Sequence, residues 1–142
     1  MQFKYKIAGG DFTNAGNASS SVKKILKQLN IDHAVSKRIV VALYEAEVNI
    51  VAHAYSGIIE VNIDEESIHI VLDDKGPGIE DIEKAMQEGY STASPQVREM
   101  GFGAGMGLAN MKRNVDQLNI SSVPGKGTRV ELIHYLKPHA GE

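Results

Sequence analysis

The chain has 142 residues, 42% of them hydrophobic and 23% charged, a composition typical of a globular domain long enough to bury a core. Its formal net charge of −3 does not favour a broad basic surface for nucleic acid or membrane. The sequence contains no cysteine, which excludes disulfides, thiol nucleophiles and thiolate metal sites. The start, "MQFKYKIAGG", lacks the apolar core of a signal peptide, and no apolar run approaches the roughly 20 residues of a membrane span. We expect one cytoplasmic domain over residues 1–142.

Hydrophobic spacing predicts a strand, two helices and a hairpin in the first half of the chain. "QFKYKIA" alternates as a strand does, and "NASSSVKKILKQLN" has apolar residues at helical spacing. A longer helix is predicted to begin after Asp32, a good N-cap, and to end near residue 53 or 55. Its apolar stripe is Val35, Ile39, Leu43, Ala46 and Ile50. "GIIEVNI" and "SIHIVLD", joined by the acidic turn "DEE", predict a hairpin.

The second half contains a glycine-rich turn, two predicted helices and a second hairpin. "DDKGPGI" is typical of a turn, "EDIEKAMQEG" of a short helix, and "YSTASPQVREMGFGAGMG" of a long loop. "LANMKRNVDQL" is predicted to be helical, and "NISSV", "PGKG" and "TRVELIHYL" form a strand, a turn and a strand. This order predicts an α+β two-layer sandwich, with helices on one face of a mixed, mostly antiparallel sheet.

The first candidate site is the polar ladder in "YEAEVNIVAH". Residues four apart share a helix face, so Glu45, Asn49 and His53 lie in line. A solvated helix face is the more common explanation of such a trio. A carboxylate one turn from a carboxamide also suits a hard cation such as Mg²⁺, and the carboxylate could polarise a hydroxyl. We interpret His53 as a structural residue at the helix end.

The second candidate is "LDDKGPGI", where a strand ends in two aspartates. Tight-turn chemistry explains the glycines well and the aspartates less well. A carboxylate at a strand end can accept a hydrogen bond from an exocyclic amine. Glycines beside it leave room for a planar ring.

The third candidate is "MGFGAGMGLANMKRN", where alternate glycines run into a predicted helix. A flexible loop explains residues 91–100 but fits poorly at Gly105 and Gly107, which adjoin a well-patterned helix. Free backbone N–H groups at a helix start suit phosphate. The patterns G-x-x-x-x-G-K-[ST] and G-x-G-x-x-G do not occur, nor do the protein-kinase motifs H-R-D and D-F-G. A nucleotide would therefore be bound in another way.

Together and in this order, the motifs resemble those of the Bergerat-fold ATPases: gyrase, heat-shock protein 90, histidine kinases and mismatch-repair ATPases. The matching motifs are Glu45-x-x-x-Asn49, Asp74-x-Gly76-x-Gly78, Gly103-x-Gly105-x-Gly107 and Gly125-x-Gly127-Thr128. Each motif is weak alone, but four in the right order and spacing are specific. The resemblance covers essentially the whole chain and implies the Bergerat fold, with an ATP lid at about residues 90–106.

Within that superfamily, the chain is most similar to the bacterial anti-sigma and switch-type serine kinases. It is shorter than the large ATPases and shows no dimerisation helices with a phosphoacceptor histidine. "GPGIEDIEKAMQEGYST" and "GAGMGL" also match those kinases. The resemblance implies ATP and Mg²⁺ as cofactors and a STAS-domain anti-sigma-factor antagonist as substrate. A sigma factor or another regulatory protein, and a second copy of the chain, are the other expected partners.

The resemblance also implies roles for individual residues. Asn49 would coordinate Mg²⁺, Asp74 would accept from the adenine amino group, and Glu45 would polarise the substrate hydroxyl. The remaining expected nucleotide contacts are Gly76 and Gly78 beside the base, Thr128 in the adenine region, and the N–H groups of Gly105, Met106 and Gly107 at the phosphates. Arg98 or Lys112 could contact the γ-phosphate, but we favour their interpretation as solvated charges of the lid and the helix.

Three functional hypotheses follow. The leading one is an ATP-dependent serine/threonine protein kinase that also binds regulatory proteins. The second is a nucleotide-gated anti-sigma binding module with little kinase activity, and the third a detached histidine-kinase catalytic domain. Glu45 favours the first over the third, because a serine hydroxyl needs a base more than a neutral imidazole does. The sequence does not separate the first two.

Overall fold

The computed structural model of the protein describes residues 1–79 and 107–136. The elements in these ranges are β1 (Gln2–Ala8), a 3₁₀ turn (Phe12–Asn14), α1 (Asn17–Gln28), α2 (His33–His53), β2 (Ser56–Ile63), β3 (Ser67–Lys75), α3 (Gly107–Arg113), β4 (Gln117–Val123) and β5 (Gly127–Tyr135). The short helix predicted over residues 80–89 and the lid at 90–106 lie outside them. Within the described ranges, no helix is long and apolar enough to cross a bilayer.

The five strands form one sheet in the order β1-β2-β3-β5-β4. The expected α+β sandwich is confirmed, but each pairing among the described strands is antiparallel, whereas the prediction allowed a mixed sheet. Hairpins join β2 to β3 and β4 to β5. The two long helices return the chain to the end of β1, where the Gly9 N–H donates to the Tyr55 carbonyl at 2.8 Å. Strand β2 therefore begins beside the end of β1 and runs back along it.

One face of the sheet packs against the helices. The strands alternate buried and more exposed residues, as a sheet with one covered face must. The predicted stripe of α2 lies in this core, with Val35 only partly buried and the other four members fully buried. On the opposite face, partly exposed ion pairs such as Lys4–Glu60, at 3.4 Å, lie between neighbouring strands.

Both ends of the α1–α2 connection follow local rules. Asn30, with φ of 57°, takes the left-handed conformation that often closes a helix. The predicted cap of α2 is confirmed, because the Asp32 carboxylate accepts from the N–H groups of Ala34 and Val35 at 3.1 and 3.4 Å. Helix α2 ends at His53, within the predicted interval.

Helix α3 is shorter than the sequence pattern predicted. It ends at Arg113, whereas the pattern extended the helix through residue 118. The Asn114 side chain donates to the Asn110 carbonyl at 2.8 Å, and the Asp116 N–H donates to the Ile133 carbonyl at 3.1 Å. The chain thereby leaves the helix and enters β4. Val115 is buried in either conformation, so its apolar character could not distinguish them.

A buried carboxylate that the sequence patterns did not identify holds α1 against α2. Glu47 is 0% exposed, and its two oxygens accept four hydrogen bonds. The donors are Gly16 N, Ala18 N, Ser19 N and Ser19 Oγ, at 2.9, 3.2, 3.0 and 2.6 Å. These N–H groups belong to the first turn of α1, where no preceding carbonyl can accept from them. Glu47 therefore caps α1 from the neighbouring helix.

We predict that Glu47→Gln lowers the free energy of unfolding by about 2–4 kcal/mol, because a carboxamide directs its own N–H groups at two of the four donors. Urea unfolding monitored by circular dichroism measures the change. Glu60→Gln is the matched control, since within residues 1–79 and 107–136 Glu60 makes only the surface pair with Lys4, and its loss should change stability by less than about 1 kcal/mol. Equal effects of the two substitutions would contradict the capping role.

A second buried polar group, His134, lies at the far end of β5. Its side chain is 1% exposed, and its Nε2 atom has no hydrogen-bond partner among the described residues. Burial lowers the pKa of His134 to about 4, while the Asp116 carboxylate opposes this shift and the Arg38 guanidinium adds to it. Arg38 and Asp116 themselves form an ion pair at 3.3 Å. The imidazole is therefore neutral in the folded protein at neutral pH.

This depressed pKa predicts acid sensitivity. The unfolded chain binds a proton on this residue below about pH 6.5. The folded chain does so only near pH 4. The neutral His134 imidazole therefore contributes fully to the free energy of unfolding above pH 6.5. This contribution, roughly 3 kcal/mol, is lost as the pH falls toward 4. Urea titrations across this range should show a shallower pH dependence for His134→Leu than for the wild type. The control Val130→Ala, which alters a buried residue of β5 that carries no ionisable group, should keep the wild-type slope.

Candidate functional site

Three segments meet at one end of the strands: the end of α2, the turn after β3 and the β4–β5 turn. Gly76 lies against the end of α2, where a side-chain Cβ would come within 2.9 Å of the Ala54 Cα atom. The N–H of Gly76 donates to the Lys126 carbonyl at 3.0 Å, and the N–H of Gly125 donates to the Pro77 carbonyl at 2.8 Å. These contacts bring the second and fourth sequence motifs together beside the end of α2.

Asp74 lies at the centre of this junction and is half-buried. Its Oδ1 atom accepts a hydrogen bond from the Thr128 N–H at 3.0 Å. Burial raises the pKa of Asp74, the Thr128 hydrogen bond opposes the rise, and the neighbouring charge of Asp73 adds to it. No hydrogen bond from a described residue reaches Oδ2. The carboxylate is therefore fixed through one oxygen, and the described residues supply no donor to the other.

The glycines of these turns are needed by the chain's own backbone. Gly78 has φ of 76°, and a Cβ there would lie 2.6 Å from the Val123 carbonyl oxygen. A Cβ on Gly127 would collide with the carbonyl oxygen of Asp74. These close approaches bring β5 near enough for Thr128 to reach Asp74. Packing thus explains Gly76, Gly78 and Gly127, and the expected contact of Gly76 and Gly78 with adenine stays a prediction.

Ser122, which the sequence reasoning did not select, joins these turns. Its hydroxyl accepts from the Ile79 N–H at 2.7 Å and donates to the Gly127 carbonyl at 3.0 Å. Its single proton is committed to that carbonyl, so the 2.9 Å contact with Thr128 Oγ1 must use the threonine proton. The Thr128 oxygen is left as an acceptor. A serine three residues before a Gly-x-Gly turn was the only sequence signal for this role.

Glu45 and Asn49 lie one turn apart on α2, as predicted. Glu45 is half-buried, and its Oε1 accepts from Asn110 Nδ2 on α3 at 3.3 Å. Burial raises the pKa of Glu45, and the Asn110 hydrogen bond partly offsets the rise. His53 is the last residue of α2, and burial lowers the pKa of its imidazole, which fits the structural role expected for it. The sequence reasoning missed Asn110, although it lies inside the predicted helix.

The expected phosphate-binding segment is only partly described. Gly107 is the first residue of α3, while Gly105 and Met106 lie outside the described residues, as does Arg98. Lys112 is exposed, as expected for a solvated charge. No group of three or more histidine, aspartate or glutamate side chains suited to a metal occurs within residues 1–79 and 107–136.

The fold and these motifs identify the family. Residues 11–134 match the family of histidine kinase-like ATPase domains, and the chain belongs to it. Membership of this family implies nucleotide use. The Bergerat-type resemblance inferred from the motifs is confirmed.

The chain is similar to proteins of sigma-factor control. It is 32% identical over 121 residues to the serine/threonine-protein kinase RsbT of Bacillus subtilis, covering 81% of this chain and 84% of that protein. It is 41% identical over 100 residues to the anti-sigma F factor of Caldanaerobacter subterraneus, covering 67% of this chain and 66% of that factor. The chain thus groups with serine/threonine kinases and anti-sigma factors, as the sequence predicted.

A solved structure supports the same fold. The RsbU and RsbW domains of a Mycobacterium tuberculosis protein match with a TM-score of 0.62 at 19% identity. The match covers 96% of this chain and 33% of that one. At this identity the likeness concerns the fold alone.

We predict that Ser122→Ala loosens the junction of the turns. The Ile79 amide loses its acceptor, so its hydrogen exchange should accelerate by roughly 5- to 30-fold, as expected for the loss of about one to two kcal/mol of local protection. Exchange measured by NMR at this amide tests the prediction. Ser121→Ala, one residue earlier on the exposed face of β4, should leave the rate unchanged. Unaltered exchange at Ile79 in the Ser122 variant would contradict the role.

Proposed function

We propose that the protein is an ATP-dependent serine/threonine protein kinase and regulatory binding protein that acts on a STAS-domain antagonist in a bacterial sigma-factor pathway. The observation that carries the proposal is a pair of half-buried carboxylates, Asp74 at the junction of the turns and Glu45 on α2 facing α3. Within the described residues, a donor reaches only one oxygen of Asp74, and burial raises the pKa of Glu45. Asp74 suits recognition of a nucleobase, and Glu45 suits proton transfer.

The available oxygen of Asp74 would accept from the exocyclic amine of adenine. Beside it, Thr128 Oγ1 is oriented as an acceptor, which suits a bridging water or the same amine. Gly105, Met106 and Gly107 would donate backbone N–H groups to the phosphates. These assignments follow the family motifs, and the Asp74–Thr128 contact supports the adenine end.

Asn49 would supply a carboxamide oxygen to Mg²⁺. This ion commonly uses one or two protein oxygens together with phosphate oxygens and water, so a site with few protein ligands is sufficient. Asn49 is partly exposed on α2, so its carboxamide oxygen is accessible to an ion. When bound, the ion would neutralise charge on the phosphates.

Glu45 would act as the general base. The serine hydroxyl oxygen of the substrate forms a bond to the γ-phosphorus, the bond from that phosphorus to ADP breaks, and the hydroxyl proton passes to Glu45. The proton then returns to solvent. A raised pKa brings a carboxylate closer to the proton affinity that this transfer requires, provided that the group remains ionised at neutral pH.

The partners would be a STAS-domain antagonist as substrate and a sigma factor or other regulatory protein as ligand, in the cytoplasm where sigma factors act. A homodimer is included in this proposal. The second candidate is a nucleotide-gated anti-sigma binding module with little kinase activity. The 41% identity to an anti-sigma F factor favours it specifically.

We predict different losses for two substitutions one turn apart. Asn49→Ala should weaken Mg²⁺-dependent ATP binding, because it removes the proposed metal ligand. Glu45→Ala should leave ATP affinity nearly unchanged and slow transfer to serine by roughly 10²- to 10⁴-fold. Isothermal calorimetry and radiolabel transfer to a co-purifying STAS protein measure the two effects.

The results of these measurements distinguish the proposed kinase from the binding module. Wild-type transfer rates in Glu45→Ala would exclude the general-base role. A wild-type protein that binds ATP and a sigma factor but transfers no phosphoryl group would establish the binding module instead.

A further inference from the structure

We propose that Asn110 is a positioning residue that holds the Glu45 carboxylate in the orientation used for phosphoryl transfer. This inference rests on the proposed function, in which Glu45 is the base. It assigns a role to α3 beyond that of its first residue, Gly107. The family motifs that identified Glu45 did not include Asn110.

The contact joins two elements that are distant in sequence. Asn110 Nδ2 donates to Glu45 Oε1 at 3.3 Å across 65 residues, at a partly buried position between α2 and α3. Glu45 is therefore connected to the helix that begins at Gly107, one turn before Asn110. No other hydrogen bond to Glu45 comes from the part of the chain that the structure describes.

The orientation of the Asn110 amide is itself determined by its partners. Arg113 NH1 donates to Asn110 Oδ1 at 3.0 Å, while Glu45 can only accept when ionised. Only one of the two flipped arrangements satisfies both neighbours, with the oxygen toward Arg113 and the nitrogen toward Glu45. The arginine thus directs the amide N–H groups at the carboxylate.

The contact favours the ionised carboxylate, which is the form that accepts a proton from serine. Among the described residues, the pKa of Glu45 is set by burial, which raises it, and by the Asn110 hydrogen bond, which lowers it. No neighbouring charge contributes to the pKa within these residues. Asn110 therefore both orients the base and keeps it ionised at lower pH than burial alone would allow.

The first test compares Asn110→Ala with the wild type in transfer to serine across pH. We expect kcat on the high-pH plateau to fall by about tenfold, the order expected for losing one hydrogen bond to a charged group. The acid limb of the kcat profile should move to higher pH, because the remaining burial raises the pKa of Glu45. The affinity for ATP should stay at the wild-type value.

Two further variants make the test specific. Asn114→Ala is the matched control. The Asn114 side chain donates to the backbone carbonyl of Asn110 at 2.8 Å and so supports the same helix without a hydrogen bond to Glu45. This variant should leave the acid limb in place. Asn110→Asp keeps the side-chain volume but sets a second carboxylate against Glu45, and it should move the limb further than Asn110→Ala does.

A direct titration separates this inference from the proposed function. The Glu45 carboxyl carbon, followed by NMR in protein labelled with carbon-13 glutamate, should titrate at higher pH in Asn110→Ala and Asn110→Asp than in the wild type. Identical titration in all three proteins would overturn the positioning role. If the titration moves but the wild type transfers no phosphoryl group, the contact stands as described and the kinase function is overturned, together with the catalytic part of this inference.

Discussion

The candidate site depends on the register between β3 and β5. These strands pair through Asp73 and Arg129, so the next step along each strand places Asp74 opposite Thr128. Gly127 permits this approach, because any side chain there would collide with the Asp74 carbonyl. The hydrogen bond from the Thr128 N–H to Asp74 Oδ1 follows from the register. A shift of β5 by one residue would turn Thr128 to the other face of the sheet relative to Asp74, and the site would be lost.

Different faces of helix α2 contact the sheet, helix α1 and the candidate site. Its apolar stripe packs on the sheet, and Glu47 binds the first turn of α1. Glu45 and Asn49 lie on the side toward α3, and the end of the helix contacts Gly76. The helix is thus both a core element and the support for the proposed chemistry. A change in the position of α1 would act on the site through this same helix.

Much of the fold could be predicted because its signals are local. Alternation identified the strands, Asp32 identified the start of α2, and Asp74 and its glycines marked a turn with a polar end. The end of α3 could not be predicted in this way. Val115 continues the helical spacing but is equally buried beyond the helix, and the pairing of β4 with β5 decides where the helix stops. Asn110 and Ser122 depend on contacts across 65 and 43 residues, which no local pattern records.

The two glutamates of α2 show why residue type alone could not assign the chemistry. Residues two apart on a helix point to different sides, so Glu45 and Glu47 meet different neighbours. Each oxygen of Glu47 already accepts two hydrogen bonds, so its lone pairs are used in holding α1. Among the described residues, Glu45 accepts one long hydrogen bond, and its burial raises its pKa. The number of donors around each carboxylate therefore distinguishes the structural Glu47 from the proposed base Glu45, although both lie in the same five-residue motif.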